Sequence, residues 1–89
     1  MVTAIVLVNT ERGRVVDVAQ QLVEIDGVSE VFSVAGRYDL VAIIRVADND
    51  RMAELVTGHL LRVEGVANTE TLTAFKAYSR LDLERMFGL

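Results

Sequence analysis

The sequence contains no cysteine, no proline and no tryptophan, and it has a single histidine among 89 residues. Without cysteine there is no disulfide, no thiol nucleophile and no thiolate ligand, and one imidazole cannot complete a zinc site. No motif indicates a bound cofactor, so we expect none. Nothing points to an oxidising compartment either, and a cytoplasmic location is therefore the expectation.

Positive charge is also scarce, since nine lysines and arginines face thirteen aspartates and glutamates, for a net charge of −4. Direct binding to nucleic acid needs clustered positive charge, so we do not expect it. No apolar run has the length of a membrane span, and residues 1–9 lack the basic region of a signal peptide, so no membrane partner is expected. What the chain has in excess is apolar residues, 52% of the total, which is high for so small a monomer.

The chain matches itself at an offset of 38 residues, the separation of Gly27 from Gly65. Residues 4–8 lie over residues 42–46 in this register, and residues 25–28 lie over residues 63–66. Because both strand starts and both Gly-Val turns coincide, the match indicates a structural repeat.

Each half of the repeat predicts a strand, a helix and a second strand. The predicted strands are 2–8, 28–35, 40–46 and 67–77, and the predicted helices are 11–24 and about 50–63. The first strand is a continuous apolar run, which predicts burial on both faces. The apolar helix stripes are Val15, Val18, Ala19, Leu22 and Ile25, and then Met52, Leu55, Val56, Leu60 and Val63.

The helix ends have their own signals. Thr10 is the predicted N-cap of the first helix, and Asp48 or Asn49 that of the second. Gly27 and Gly65 follow the helices at the position where a left-handed residue ends a helix.

The order βαββαβ predicts an α+β, ferredoxin-like domain. Both helices would lie on one face of a four-stranded antiparallel sheet, with the first and third strands in the centre. We expect this domain to span residues 1–77. Residues 78–89 would then form an apolar C-terminal tail that extends an interface.

The two helices can cover only one face of such a sheet. In the third strand Val41 and Ile43 point to one face, and Leu40, Ala42, Ile44 and Val46 point to the other. In the first strand Ile5 and Leu7 alternate with Val6 and Val8 in the same way, so both faces are apolar. An apolar face of this kind usually marks an interface, which predicts a homodimer that pairs through its sheets. The alternative is that the tail folds back over the open face.

The segment Gly36-Arg37-Tyr38-Asp39 joins the second and third strands. As chemistry alone it is an ordinary turn, and a structural role is the simpler interpretation. The carboxylate and the phenol beside backbone donors would also suit an ammonium group and a carboxylate of one small ligand. Thr69, Thr71 and Thr73 share one face of the fourth strand. They fit either strand propensity or a small polar cavity, and their spacing does not decide between the two.

No catalytic constellation is present in the sequence, so an enzyme is not expected. His59 lies at the edge of a helix stripe and has the position of a boundary residue. No serine has an evident base, and no pair of carboxylates suits acid–base catalysis.

With these features in place, the sequence resembles the effector (RAM) domain of the Lrp/AsnC, or feast/famine, regulators. The resemblance rests on the repeat, on the G-x-Y-D loop at residues 36–39 and on the G-V-x-x-T-x-T stretch at residues 65–71. It implies a dimeric α+β barrel, with dimers assembling into larger rings such as octamers, and an amino-acid effector bound between dimers. The ligand-binding residues it implies are Gly36, Arg37, Tyr38, Asp39, Thr69 and Thr71.

The resemblance has departures. Full-length members carry a helix-turn-helix domain, so this chain resembles the stand-alone class, with full-length regulators as further candidate partners. Asp26 and Glu64 stand where the family usually has proline. Two alternatives to a regulatory module remain open. One is a small barrel enzyme, a monooxygenase or an isomerase, using His59 or Tyr78; the other is a purely structural oligomerisation module.

Overall fold

The computed structural model describes residues 1–80 of the chain. Its elements are β1 (Val2–Thr10), α1 (Val15–Val23), β2 (Val28–Ser33), β3 (Leu40–Val46), α2 (Asn49–Gly58), a 3₁₀ turn (Leu60–Arg62) and β4 (Val66–Thr73). The strands form one antiparallel sheet in the order β2-β3-β1-β4. The predicted βαββαβ order and the central position of the first and third strands are thus confirmed. No helix within the described part of the chain is long and apolar enough to span a membrane.

The helices cover one face of the sheet and leave the other uncovered within residues 1–80. On the helix side, the central strands bury Ala4, Val6, Val8, Leu40, Ala42, Ile44 and Val46. The other side, called the open face below, carries Ile5, Leu7, Phe32, Val41, Ile43, Glu70 and Leu72, placed there by the strand registers. Its central residues are half-buried, and Phe32 and Leu72 are 48% and 46% exposed. The prediction that β1 is buried on both faces is therefore wrong for the single chain, because no element of residues 1–80 packs on the open face.

The core lies between the sheet and the helices. Val18 and Leu22 of α1, Met52 and Leu55 of α2, and Leu60 of the 3₁₀ turn are buried there, as the predicted stripes require. Each fully buried leucine stabilises the fold by about 1.5–3 kcal/mol relative to an exposed one. Among residues 1–80 the core holds no buried polar or charged side chain.

The two glycine turns have the predicted left-handed conformation, with φ of 102° at Gly27 and 100° at Gly65. Both also pack closely against the core. A Cβ on Gly27 would lie 2.6 Å from Leu55 Cδ1 and 2.8 Å from Val46 Cγ1, and a Cβ on Gly65 would lie 2.8 Å from Val18 Cγ2. Glycine is needed at these turns for both space and backbone conformation.

The helix starts agree with prediction in one half only. Asp48 is the N-cap of α2, and its Oδ1 accepts a hydrogen bond of 2.8 Å from the Arg51 backbone N–H. Thr10 is not the N-cap of α1, because it is the last residue of β1 and its backbone N–H is bonded elsewhere. The helix begins four residues later than predicted, at Val15, and the Arg14 side chain does not cap it.

Three other predicted elements are shorter in the structure. The second helix ends at Gly58, and the chain then tightens into the 3₁₀ turn that buries Leu60. β2 ends at Ser33 and β4 ends at Thr73, followed by one more ladder bond from the Ala74 N–H to the Thr3 carbonyl. Most of the predicted tail, residues 81–89, lies outside the described residues.

Candidate functional site

The loop between β2 and β3 is closed by backbone hydrogen bonds. The Val34 N–H donates to the Asp39 carbonyl and the Asp39 N–H donates to the Val8 carbonyl, each at 3.0 Å. Gly36 has φ of 128°, and a Cβ added to it would have no heavy atom within 4 Å, so backbone conformation rather than space requires glycine there. The loop therefore sits against the carboxyl end of β1.

The Asp39 carboxylate is bonded to that end of β1. Its Oδ2 accepts from the Thr10 backbone N–H at 2.9 Å and from the Thr10 hydroxyl at 3.4 Å. No described residue donates to its other oxygen, Oδ1. One oxygen thus fixes the loop to the sheet, and the other has no donor among residues 1–80.

Tyr38 connects the same loop to the edge strand β4. Its hydroxyl donates a hydrogen bond of 3.2 Å to the Glu70 carboxylate. Partial burial raises the pKa of the Tyr38 phenol, the Glu70 charge and hydrogen bond raise it further, and the nearby Arg37 charge lowers it. The phenol is therefore protonated at neutral pH and acts as a donor. Sequence reasoning missed Glu70, because a lone glutamate on an edge strand has no recognisable pattern.

The three threonines of β4 lie on one side of the sheet and differ in exposure. The register of β4 with β1 pairs Thr69, Thr71 and Thr73 with residues that face the helices, so all three lie on the helix side of the sheet. Thr69 is half-buried and pairs with Val8, the residue that also receives the Asp39 N–H. Thr71 is exposed, and no hydrogen bond joins its side chain to the loop within residues 1–80. The structure therefore brings Tyr38, Asp39 and Thr69 to one end of the sheet and leaves Thr71 further along it.

A cavity of about 480 Å³ lies elsewhere. It lies between α1 and α2 and is lined by Gln21, Glu24, Ile25, Asp26, Arg51, Glu54, Leu55 and His59. His59, the acid–base candidate of the enzyme alternative, is thus on the opposite side of the sheet from the open face. The cavity contains none of the predicted ligand-binding residues. Within residues 1–80, no group of three histidine, cysteine or acidic residues is arranged to hold a metal ion.

The fold and the loop define a ferredoxin-like α+β domain with a polar site at one end of its central strands. The model of the Lrp/AsnC ligand binding domain matches residues 3–82, nearly the whole chain. The protein belongs to the Lrp/AsnC ligand-binding domain family.

Particular relatives agree with this assignment. An uncharacterized HTH-type transcriptional regulator of Pyrococcus furiosus is 36% identical over 59 residues, which are 66% of this chain and 39% of that protein. The chain therefore matches well under half the length of this curated relative. The crystal structure of TTHA0845 from Thermus thermophilus is 45% identical with a TM-score of 0.84, and the match covers 90% of this chain and 100% of that one.

A more distant structure shares the fold. The transcriptional regulator NMB0573 of Neisseria meningitidis, solved as a complex with L-Met, has a TM-score of 0.78 at 17% identity. The match covers 89% of this chain and 53% of that one. At this identity the likeness shows the fold alone.

Proposed function

We propose that this domain is an oligomeric regulatory module of the Lrp/AsnC type, which binds a small amino-acid effector at the loop of residues 36–39 and thereby modulates transcription. Its membership of a ligand-binding domain family supports the proposal. So do the names of its curated relatives, which are HTH-type transcriptional regulators, and the L-Met complex of a protein with the same fold.

The observation that carries the proposal is that only one of the two carboxylate oxygens of Asp39 accepts a hydrogen bond from residues 1–80. With Oδ2 bonded to Thr10, its Oδ1 is the acceptor for a ligand ammonium group, in a charge-assisted hydrogen bond. Arg37, two positions earlier in the same loop, is exposed, and its guanidinium has the planar fork that matches a ligand carboxylate. Gly36 keeps the approach open, and the Tyr38 ring borders the site. Thr69 lies at the same end of the sheet but on its helix side, with Thr71 further along.

The proposed assembly uses the open face. Two chains pair through this face into a dimeric α+β barrel, which covers the apolar side chains of β1 and β3. Dimers then associate into a larger ring, octameric or of another size, with the effector in the clefts between them. Residues 1–77 form the domain in this proposal, residues 78–89 extend the interface, and full-length family regulators are further candidate partners.

Ligand screening tests the binding proposal. Each proteinogenic amino acid, at millimolar concentration, is screened by thermal shift, and responses are confirmed by calorimetry. A ligand that binds only the folded state must raise the melting temperature by mass action. We expect Asp39→Asn to abolish the shift and Asp50→Asn, at an exposed carboxylate in the first turn of α2, to retain it. No response to any amino acid would refute the sensing role and favour the purely structural module.

Two matched variants test the assembly proposal. Leu72 on the open face and Leu61 in the 3₁₀ turn are almost equally exposed, at 46% and 48%. Leu72→Asp should shift the mass measured by light scattering toward the single chain of 9.8 kDa, because a charge in the interface has no partner. Leu61→Asp should leave the mass unchanged. If the unmodified protein already has the mass of one chain, or if only Leu61→Asp dissociates it, the open face is not the interface.

A further inference from the structure

Glu70 is a charged residue beside the apolar side chains of the open face, which also carries the ion pair of Arg45 with Glu30, 4.0 Å apart. The register of β4 pairs Glu70 with Leu7, next to the pair of Leu72 with Ile5, and so places it on the open face. Its carboxylate accepts one hydrogen bond from the described residues, the 3.2 Å bond from the Tyr38 hydroxyl. Tyr38 in turn belongs to the loop that carries Asp39. One hydrogen bond therefore joins the candidate binding loop to the face proposed for dimerisation.

This bond changes in importance when the open face is covered. In the single chain the bond is exposed, and water can replace the Tyr38 hydroxyl at little cost. Beneath a second chain, the ionised carboxylate loses its water, and an ionised group without a partner in such surroundings is strongly unfavourable. The Tyr38 hydroxyl, protonated at neutral pH and already in place, supplies that partner.

We infer that Glu70 is a positioning residue, through which occupation of the loop at residues 36–39 controls pairing of the open faces. The inference rests on the proposed function, since it needs both the dimer and the loop site. Pairing of two chains favours the loop conformation in which Tyr38 reaches Glu70. An effector that accepts the hydrogen bond of the Tyr38 hydroxyl leaves the Glu70 carboxylate without this donor in the interface and therefore weakens assembly. By linkage, assembly weakens the binding of such an effector by the same factor.

A double-mutant cycle tests the coupling without any ligand. The dimer dissociation constant is measured by analytical ultracentrifugation for the unmodified protein, Tyr38→Phe, Glu70→Gln and the double variant, at one salt concentration. Tyr38→Phe mimics capture of the hydroxyl, and we expect it to raise the dissociation constant about tenfold or more. In the Glu70→Gln background the same substitution should raise it less than about threefold, because a neutral amide is less costly to bury unpaired.

Thr57→Val is the matched control, since it also removes one hydroxyl group, and Thr57 lies in α2, on the helix side of the sheet. It should change the dissociation constant less than Tyr38→Phe does. Rescue of Tyr38→Phe by Glu70→Gln separates coupling from a general loss of loop structure, which the glutamine would not repair.

The outcomes distinguish this inference from the proposed function. If Leu72→Asp dissociates the dimer but Tyr38→Phe has the same effect with Glu70 and with Gln at position 70, the role of Glu70 is overturned and the assembly proposal stands. A protein with the mass of one chain at every concentration overturns both. A non-additive cycle, with rescue by glutamine, supports the role of Glu70.

Discussion

The first half of the chain and the second can be compared residue by residue, because the repeat places Gly27 on Gly65 and Leu22 on Leu60. Both glycines are left-handed and packed against the core. Both leucines are fully buried, yet Leu22 lies in α1 and Leu60 in the 3₁₀ turn after α2. The two halves therefore bury side chains at equivalent positions, but the secondary structure at such a position can differ between them.

The helix starts show the same difference. Asp48 caps α2, whereas the equivalent residue of the first half, Thr10, belongs to a strand. Arg14 and Asp17 instead pair at the start of α1. Packing positions are constrained by close contacts from several elements, and a helix start is constrained by one or two polar bonds. We expect substitutions at the shared positions to cost more than substitutions at the differing ones.

The shared leucines should have the largest effect. Leu22→Ala and Leu60→Ala should each lower the free energy of unfolding by about 2–5 kcal/mol, because each leaves a cavity in the core. Chemical denaturation at one fixed protein concentration measures this, so that assembly contributes equally to every variant. The neighbouring Leu61→Ala, at a side chain 48% exposed, should cost less than about 1 kcal/mol. Equal costs for Leu60→Ala and Leu61→Ala would show that the 3₁₀ turn is not held by packing.

The glycine turns come next. Gly27→Ala should lower the free energy of unfolding by about 2–4 kcal/mol, since a left-handed alanine costs about 1–2 kcal/mol and overpacking adds to it. Gly65→Ala should cost slightly less, because only Val18 would lie within 3.0 Å of the new Cβ. Gly13→Ala is the control for conformation without crowding, with φ of 79° and no heavy atom within 4 Å. If Gly27→Ala costs no more than Gly13→Ala, the close packing of the turn contributes nothing.

The Asp48 cap and its counterpart Thr10, which is not a cap, should have a smaller effect. Asp48→Ala should cost about 1 kcal/mol, because the first turn of α2 loses its side-chain acceptor. Thr10→Ala should cost less than about 0.5 kcal/mol, since only the 3.4 Å hydroxyl bond is lost and the backbone bond to Asp39 remains. Thermal unfolding of both variants measures the difference. A larger cost at Thr10 than at Asp48 would reverse the comparison of the two halves.

The Arg14–Asp17 pair should have the smallest effect. The hydrogen bond from Arg14 holds the pKa of the Asp17 carboxyl below its ordinary value of 3.8. Since the folded pKa is lower than the unfolded one, this stabilisation is present above the unfolded pKa and is lost as pH falls through the folded pKa. Asp17→Asn should slightly reduce the loss of stability in acid, and an NMR titration should place the carboxyl pKa below 3.8. A carboxyl pKa at or above that value would mean that the pair does not persist in solution.

Much of the fold was predictable because it depends on local periodicity. Alternating or continuous apolar residues identified β1 and β3, and Gly27 marked the end of the first helix closely. Gly65 did not mark the end of α2, which stops at Gly58 before the 3₁₀ turn. The start of α1 was not predictable, since Thr10 is held by a residue 29 positions away in the chain, a contact that no local pattern contains.

The candidate site was predictable to a similar extent. The G-x-Y-D motif identified the loop, and its aspartate does lie against the end of β1. The side of the sheet on which Thr69 and Thr71 lie, and the contact of Tyr38 with Glu70, depend on the pairing of β4 with β1. That pairing is a property of the assembled sheet, and it cannot be predicted from the residue spacing within one strand.

The two tyrosines lie at opposite ends of the sheet. Tyr38 is in the loop against the end of β1, and Tyr78 follows the last ladder bond, which reaches Thr3 at the start of β1. Because the chain has no tryptophan, its intrinsic fluorescence comes from these two rings. A single tyrosine-to-phenylalanine variant therefore leaves a label-free optical reporter at one chosen end of the molecule. Any tryptophan emission seen during ligand screening would belong to the ligand itself.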